Sequence, residues 1–220
     1  MKKKLLIAFA AALAGVAALF AVYVAPHLGQ DFVPPDLATR VVGQPVPNFT
    51  LADASGSSVS LADFRGRTVV LEWNNPECPF TQKHYDSGNM QRTQAAAARD
   101  GVVWLSINSS APGNQGHMSG AEAQAFVTDS GARPTRYLLD PDGEVGRTFG
   151  ALTTPHMYVI NGAGTLVYAG AIDDRPTANS DDIEGARNHV LAALAELRAG
   201  RPVSVPTSRP YGCNVKYAEG

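Results

Sequence analysis

The chain has 220 residues, 45% of them hydrophobic and 17% charged, with a formal net charge of −2. That size and balance suit one folded domain with an appendage, and they leave no basic excess for a nucleic-acid partner and no acidic run for a disordered tail. Two cysteines make neither a disulfide-dense scaffold nor a zinc ribbon.

Lys2, Lys3 and Lys4 precede a stretch without charge from Leu5 to Ala25. At about 1.5 Å per residue it is long enough for a hydrocarbon core of roughly 30 Å. A removable signal has an apolar region of about 7–15 residues and a small-x-small end. Here Tyr23-Val24-Ala25 would put a large residue at the −3 position. Residues 1–25 are therefore expected to be an uncleaved anchor rather than a removed signal. The lysines would keep the N-terminus cytoplasmic. The rest would then stand outside a bacterial inner membrane, in the periplasm, where a disulfide can persist. Residues 26–41, with Pro26, Gly29, Pro34 and Pro35, read as a linker.

From Val42 to Gly200 the pattern is that of an α/β domain. Phe49–Leu51 and Ser57–Ser60 read as short strands around a turn, and Thr68–Trp73 reads as a strong buried strand. A helix with a break near Ser87-Gly88 is predicted from Pro79 to Arg99, followed by a second buried strand over Val102–Ile107. Ala121–Ser130 reads as a helix and Arg136–Leu139 as a strand. Met157–Ile160 and Thr165–Tyr168 read as a hairpin. Asp181 and Glu184 have capping-box spacing, and Ile183, Ala186, Val190, Leu191, Leu194 and Leu197 recur at helical spacing, so a helix is predicted from Asp181 to Gly200. The tail, 201–220, holds the second cysteine and reads as an arm lying across the domain. Alternating strands and helices imply a central sheet covered on both faces, with Cys78 at the carboxyl end of a central strand.

Cys78 is the chemical focus. It sits between a buried strand and a helix that starts with Pro79, a residue favoured at the first helical position. A cysteine there faces unpaired backbone N–H groups and the positive end of the helix dipole, which favour the reactive thiolate.

The segments Glu72–Met90 (EWNNPECPFTQKHYDSGNM), Thr153–Ile160 (TTPHMYVI), Gly170–Asp174 (GAIDD) and Pro210–Tyr217 (PYGCNVKY) carry a family resemblance. From Val42 to Tyr217 the chain resembles the thioredoxin-like and peroxiredoxin-like redoxins of AhpC/TSA type. The resemblance implies a thioredoxin-like fold, a mixed central β-sheet flanked by helices, preceded here by one transmembrane helix. It implies that Cys78 is the attacking cysteine, that Pro155 is the cis-proline beside its sulfur, and that Glu72 is the buried acid that handles protons. Thr154 and Pro155, with Trp73 and Pro79, would line the substrate groove. Two departures stand out. Cys78-Pro79-Phe80-Thr81 ends in threonine where thioredoxins have a second cysteine, and Leu71 and Asn75 replace the proline and threonine of the peroxiredoxin pattern.

Three readings of Cys213 stay open: it resolves an oxidised Cys78, it forms a permanent bridge to Cys78, or it is a free thiol for another protein. His84 and His156 invite a metal reading with Cys78, but His84 lies off the helical face of Cys78. No metal and no cofactor are expected. Lys83 and Thr81 either assist the thiolate or are ordinary helix-surface residues. The expectation is an envelope thiol oxidoreductase acting on protein thiols and disulfides or on peroxide, served by a thiol reductant. The competing reading is a non-catalytic binding or metal-delivery module locked by a Cys78–Cys213 disulfide.

Overall fold

A computed structural model describes residues 41–219. The expected anchor and all but the last residue of the expected linker lie outside the described residues. No helix among those described is long and apolar enough to cross a membrane.

Seven strands form one mixed sheet in the order β2-β1-β5-β4-β3-β7-β8. Its centre is β3 (Val69–Trp73), parallel to β4 (Val103–Asn108), which is parallel to β5 (Arg136–Leu139). Every residue of β3 and β4 is buried. Both faces of these strands are covered, so each reads as a continuous apolar run rather than an alternation. On one side β7 (His156–Ile160) pairs antiparallel with β3 and turns into β8 (Leu166–Gly170). On the other, β1 (Thr50–Asp53) pairs antiparallel with β5 and with β2 (Ser58–Ser60).

The pleat separates two cores. Val70, Trp104, Met157 and Val159 face Tyr85, Met90, Val190 and Leu194, carried by helices α1 (Pro79–Asp86), α2 (Asn89–Arg99) and α5 (His189–Arg198). Leu71, Trp73, Leu105 and Ile107 face the opposite way, into Phe149 and Tyr158. There Trp73 and Tyr158 meet edge-on, with ring centroids 5.1 Å apart. The helices α3 (Gly120–Asp129) and α4 (Glu144–Phe149) complete the layers. The break between α1 and α2 falls at Gly88, whose φ of +71° suits glycine.

Two elements differ from the sequence reading. The last helix starts at His189, capped by Asn188, whose side chain accepts from Leu191 N at 2.9 Å. Upstream, Asn179 caps a separate 3-10 turn, Ser180–Ile183, and Gly185 leaves the helical region at φ +74°. Two competing caps and a glycine thus interrupt a periodicity that looked continuous. The tail is also more ordered than a loose arm. Thr207 bridges to Ala169, and β9 (Cys213–Asn214) pairs antiparallel with β6 (Thr153–Thr154). Val215 is buried in the Trp73 core, and the Tyr217 hydroxyl donates to Ala151 O at 2.9 Å.

Candidate active site

The turn after β3 is tied down residue by residue. Asn74 N donates to Ile107 O at 2.8 Å, Cys78 N to Asn75 O at 3.1 Å, and Glu77 N to the Asn75 side chain at 2.9 Å. Cys78 then stands at the N-cap of α1 in extended conformation, with Pro79 in the first turn. Its Sγ donates to Thr154 O at 3.0 Å, and the peptide bond that follows, Thr154-Pro155, is cis. The thiol is fully buried.

What buries it is the tail. In the β6–β9 pair Cys213 lies opposite Thr154. The preceding Gly212 runs so close to the cis-proline loop that a Cβ there would lie 2.1 Å from Thr154 O. Both cysteines are free thiols, and their side chains are hydrogen-bond neighbours. The groove expected beside Pro155 exists, but this chain's own C-terminal arm fills it.

The two thiols titrate in opposite directions. Burial pushes Cys78 up. Hydrogen bonds from the Cys213 thiol, from the Thr154 side chain and from the backbone of Cys213 and Thr81 outweigh burial and bring it below its ordinary value. Burial, the hydrogen bond to Cys78 and the charge of Cys78 push Cys213 up to about 11, with Lys216 opposing. Cys78 is thus the readier thiolate, and Cys213 keeps its proton and aims it at Cys78. Thr81 Oγ1 is a buried hydroxyl with no hydrogen-bond partner and is a donor in reserve beside this sulfur.

Glu72 is fully buried and its carboxylate accepts five hydrogen bonds. The shortest come from Tyr85 Oη and Trp104 Nε1, each at 2.7 Å; Ser106 Oγ, Asn74 Nδ2 and Gln94 Nε2 supply the others. No hydrogen bond among the described residues joins Glu72 to Cys78. Its carboxylate is a hub that ties β3, β4, α1 and α2 together beneath the site.

One expectation needs correcting, and three residues whose roles the sequence leaves open find their places. Trp73 is no groove wall: it has no exposed surface, packs on Phe149 and Tyr158, and donates from Nε1 to Ser109 Oγ at 3.0 Å. Adjacent strand residues point to opposite faces, so Glu72 on the α1 side puts Trp73 on the other. His156 pairs with Trp73 in register and faces Tyr158, with ring centroids 4.5 Å apart. It therefore lies across the sheet from α1, and burial lowers its pKa to about 3. Lys83 is no surface residue. Its side chain is buried, with Nζ donating to Arg175 O at 2.6 Å and lying 3.9 Å from Asp173 Oδ2. His84, the other half of the metal reading, has both ring nitrogens engaged, by Asn89 and Tyr211. Among the described residues no three His, Cys, Asp or Glu side chains gather as a metal site.

Cys78, Pro79, Thr154, Pro155 and Cys213 come together; Trp73 does not. Sequence reasoning gave no role to Asp173 or Tyr211, although both lie in the segments, GAIDD and PYGCNVKY, that carry the family resemblance.

A family model described as "AhpC/TSA family" matches residues 42–169. A Mycobacterium tuberculosis protein named "Putative peroxiredoxin MT2597" is 31% identical over 120 residues, which is 53% of this chain and 68% of that protein. An uncharacterized conserved protein from Geobacillus kaustophilus matches the structure with a TM-score of 0.70 at 26% identity, over 82% of this chain and 94% of that one. A hypothetical protein from Sinorhizobium meliloti 1021 matches with a TM-score of 0.69 at 25% identity, over 82% and 96% of the two chains.

Proposed function

The chain belongs to the AhpC/TSA family of thiol-dependent oxidoreductases, and from that premise we propose that it exchanges disulfides through a Cys78–Cys213 pair. One observation carries the reading: the arm delivers Cys213 against Cys78 at the cis-proline loop, where the first helical turn would otherwise supply a second cysteine.

In the forward step the Cys78 thiolate attacks a sulfur of the partner's disulfide. An S–S bond forms to Cys78, and the partner's other sulfur leaves as thiolate. Cys213 then attacks Cys78 Sγ. The Cys78–Cys213 bond forms, the partner's second sulfur leaves, and the Cys213 proton ends on it. The partner gains two electrons and the dithiol loses two; an external dithiol reverses the balance. While Cys78 is anionic its charge helps hold the proton on Cys213. Once Cys78 is in a mixed disulfide that charge is gone, so Cys213 is released to react when it is needed. Because the arm covers Cys78, it must lift for the partner to enter.

Glu72 enters this proposal as the hub beneath the site. The proton-handling role would need a relay from Cys78 to its carboxylate. Peroxide is the second substrate class, supported by the name of the Mycobacterium relative. Attack on peroxide would leave a Cys78 sulfenic acid, which Cys213 resolves with loss of water. Leu71 and Asn75, in place of the peroxiredoxin proline and threonine, favour exchange over efficient peroxide reduction. We place the domain in the bacterial envelope, held at the inner membrane by residues 1–25. Lys2–Lys4 and the uncharged stretch behind them support this, and protease protection in spheroplasts tests it.

The test of the pair is a redox titration of the full-length chain with thiol trapping, beside Cys78→Ser and Cys213→Ser. We expect one intramolecular disulfide with a potential above about −250 mV, complete loss of exchange in Cys78→Ser, and a mixed disulfide that accumulates in Cys213→Ser. A bridge that persists below about −300 mV would make it structural and the protein a binding module.

A further inference from the structure

Two residues before Cys213, Tyr211 fills a socket built largely by the helix that Cys78 caps. Its ring packs on Phe80 at 6.0 Å between centroids and on His84 at 6.5 Å, and Lys83 Nζ lies 5.4 Å from its centre. Its hydroxyl donates to Asp173 Oδ1 and meets His84 Nε2 at 3.2 Å. The polarity is consistent along the chain. Asn89 Nδ2 lies 2.8 Å from His84 Nδ1 and donates to it. The proton of a neutral imidazole is then on Nε2, which donates to the Tyr211 oxygen, which donates to Asp173. Asp173 is itself braced by Arg175 N at 3.0 Å and by buried Lys83.

The arm is secured upstream by Ser208, whose Oγ meets Tyr168 Oη at 2.7 Å and accepts from Ala171 N at 2.9 Å. It is secured downstream by Val215 and Tyr217. Between these points the pairing of β9 with β6 is two residues long, too short to hold a strand by itself. Tyr211 is the side chain that ties this middle section to α1. The arm is thereby registered against the helix that carries the nucleophile.

We propose that Tyr211 is the positioning residue for Cys213, setting the effective concentration of the second thiol at Cys78. The inference rests on the exchange reading of the pair. Loss of the anchor lets the reduced arm leave, while the bridged arm is held covalently, so the equilibrium moves toward the dithiol. The same release uncovers Cys78.

The experiment compares full-length wild type with Tyr211→Phe, which keeps the ring against Phe80, and with Asp173→Asn, which weakens the acceptor. The disulfide equilibrium is read against glutathione. The rate of Cys78 alkylation is read in a Cys213→Ser background, with urea midpoints reported for each variant. We expect Tyr211→Phe to lower the pairing constant about tenfold, or ~30 mV for a two-electron couple. We expect Asp173→Asn to shift it in the same direction by less, and Cys78 alkylation to accelerate several-fold in Tyr211→Phe. A pairing constant and an alkylation rate both unchanged within about twofold overturn the anchor. If wild type forms no Cys78–Cys213 bridge, the exchange reading fails, and the alkylation rates alone then decide whether Tyr211 holds the arm.

Discussion

Cys78 stands on a helix that follows β3, a strand hydrogen-bonded along its length by β4 and β7. Cys213 stands on an arm whose strand pairing covers two residues. The first thiol is placed by the central sheet and the buried hub under it; the second by a glycine, a tyrosine socket and the arm's two outer fastenings. The sheet cannot shift without unfolding, whereas the arm can lift and leave the cores of the domain almost intact. Domain stability and thiol pairing are thus separable, and variants should fall into two classes according to which region they strike.

The largest effect on stability belongs to the hub. Glu72→Leu removes the acceptor of five buried donors. A buried donor left unpaired costs about 1–3 kcal/mol. Hydroxyls of Tyr85 and Ser106 can re-aim, so we expect a loss of about 5 kcal/mol in urea unfolding, a large share of the about 5–15 kcal/mol typical of a domain. Glu72→Gln keeps one acceptor oxygen and should lose about 2 kcal/mol. This variant also divides two roles. A proton carrier predicts slower exchange in Glu72→Gln at every pH where the domain stays folded, and a hub predicts an unchanged exchange rate per folded molecule.

The same division explains what could be read in advance. The cysteine at a helix start, the buried strands and the Gly88 break are written in local sequence: continuous apolar runs, then Pro79, then a glycine needed for positive φ. Glu72 and Trp73 show how much further a simple rule reached. Strand residues alternate, so the two could not both serve the site, and placing Trp73 in the groove ignored that period. The early start assigned to α5 has the opposite origin, since Asp181 and Glu184 satisfy a capping pattern that Gly185 cuts short. The socket for Tyr211 was not legible at all. It joins Phe80 and His84 on α1 to Asp173 beyond β8 and to the tail, and no local pattern encodes contacts between segments so far apart.

Acid titration sharpens the comparison, each histidine having a smaller effect than the hub. Burial lowers the pKa of His156, across the sheet, to about 3, and of His84, at the joint between α1 and the arm, to about 4. At His84 the Asp173 charge pulls the other way and Lys83 adds to the lowering. Unfolded histidine takes its proton near 6.5. Between that value and the folded ones the unfolded state binds more protons, so stability is full above about pH 6.5 and falls as the pH drops toward 4. Each histidine contributes a slope of at most about 1.4 kcal/mol per pH unit. Unfolding free energies measured from pH 7 to 4 should show this fall, and His156→Asn should remove about half of it. A slope unchanged in His156→Asn would mean that other groups set the acid limit.

The smallest effect on stability should accompany one of the largest on pairing. At Gly212 the backbone has φ +140°, and an added Cβ would lie 2.1 Å from Thr154 O, a backbone atom that cannot swing aside. Gly212→Ala therefore presses the arm off the cis-proline loop while touching neither core. Because the strain is relieved by lifting the arm, we expect urea unfolding to change by less than about 1 kcal/mol. Separation of the two thiols should cut the effective concentration of Cys213, and with it the pairing constant, by about tenfold or more. Cys78, no longer covered, should be alkylated faster than in wild type. A domain strongly destabilised by Gly212→Ala would show the arm to be part of the core, and the two regions would then act as one. A pairing constant that survives the substitution would instead mean that the arm bends elsewhere, and that Tyr211 and the outer fastenings suffice to return Cys213 to Cys78.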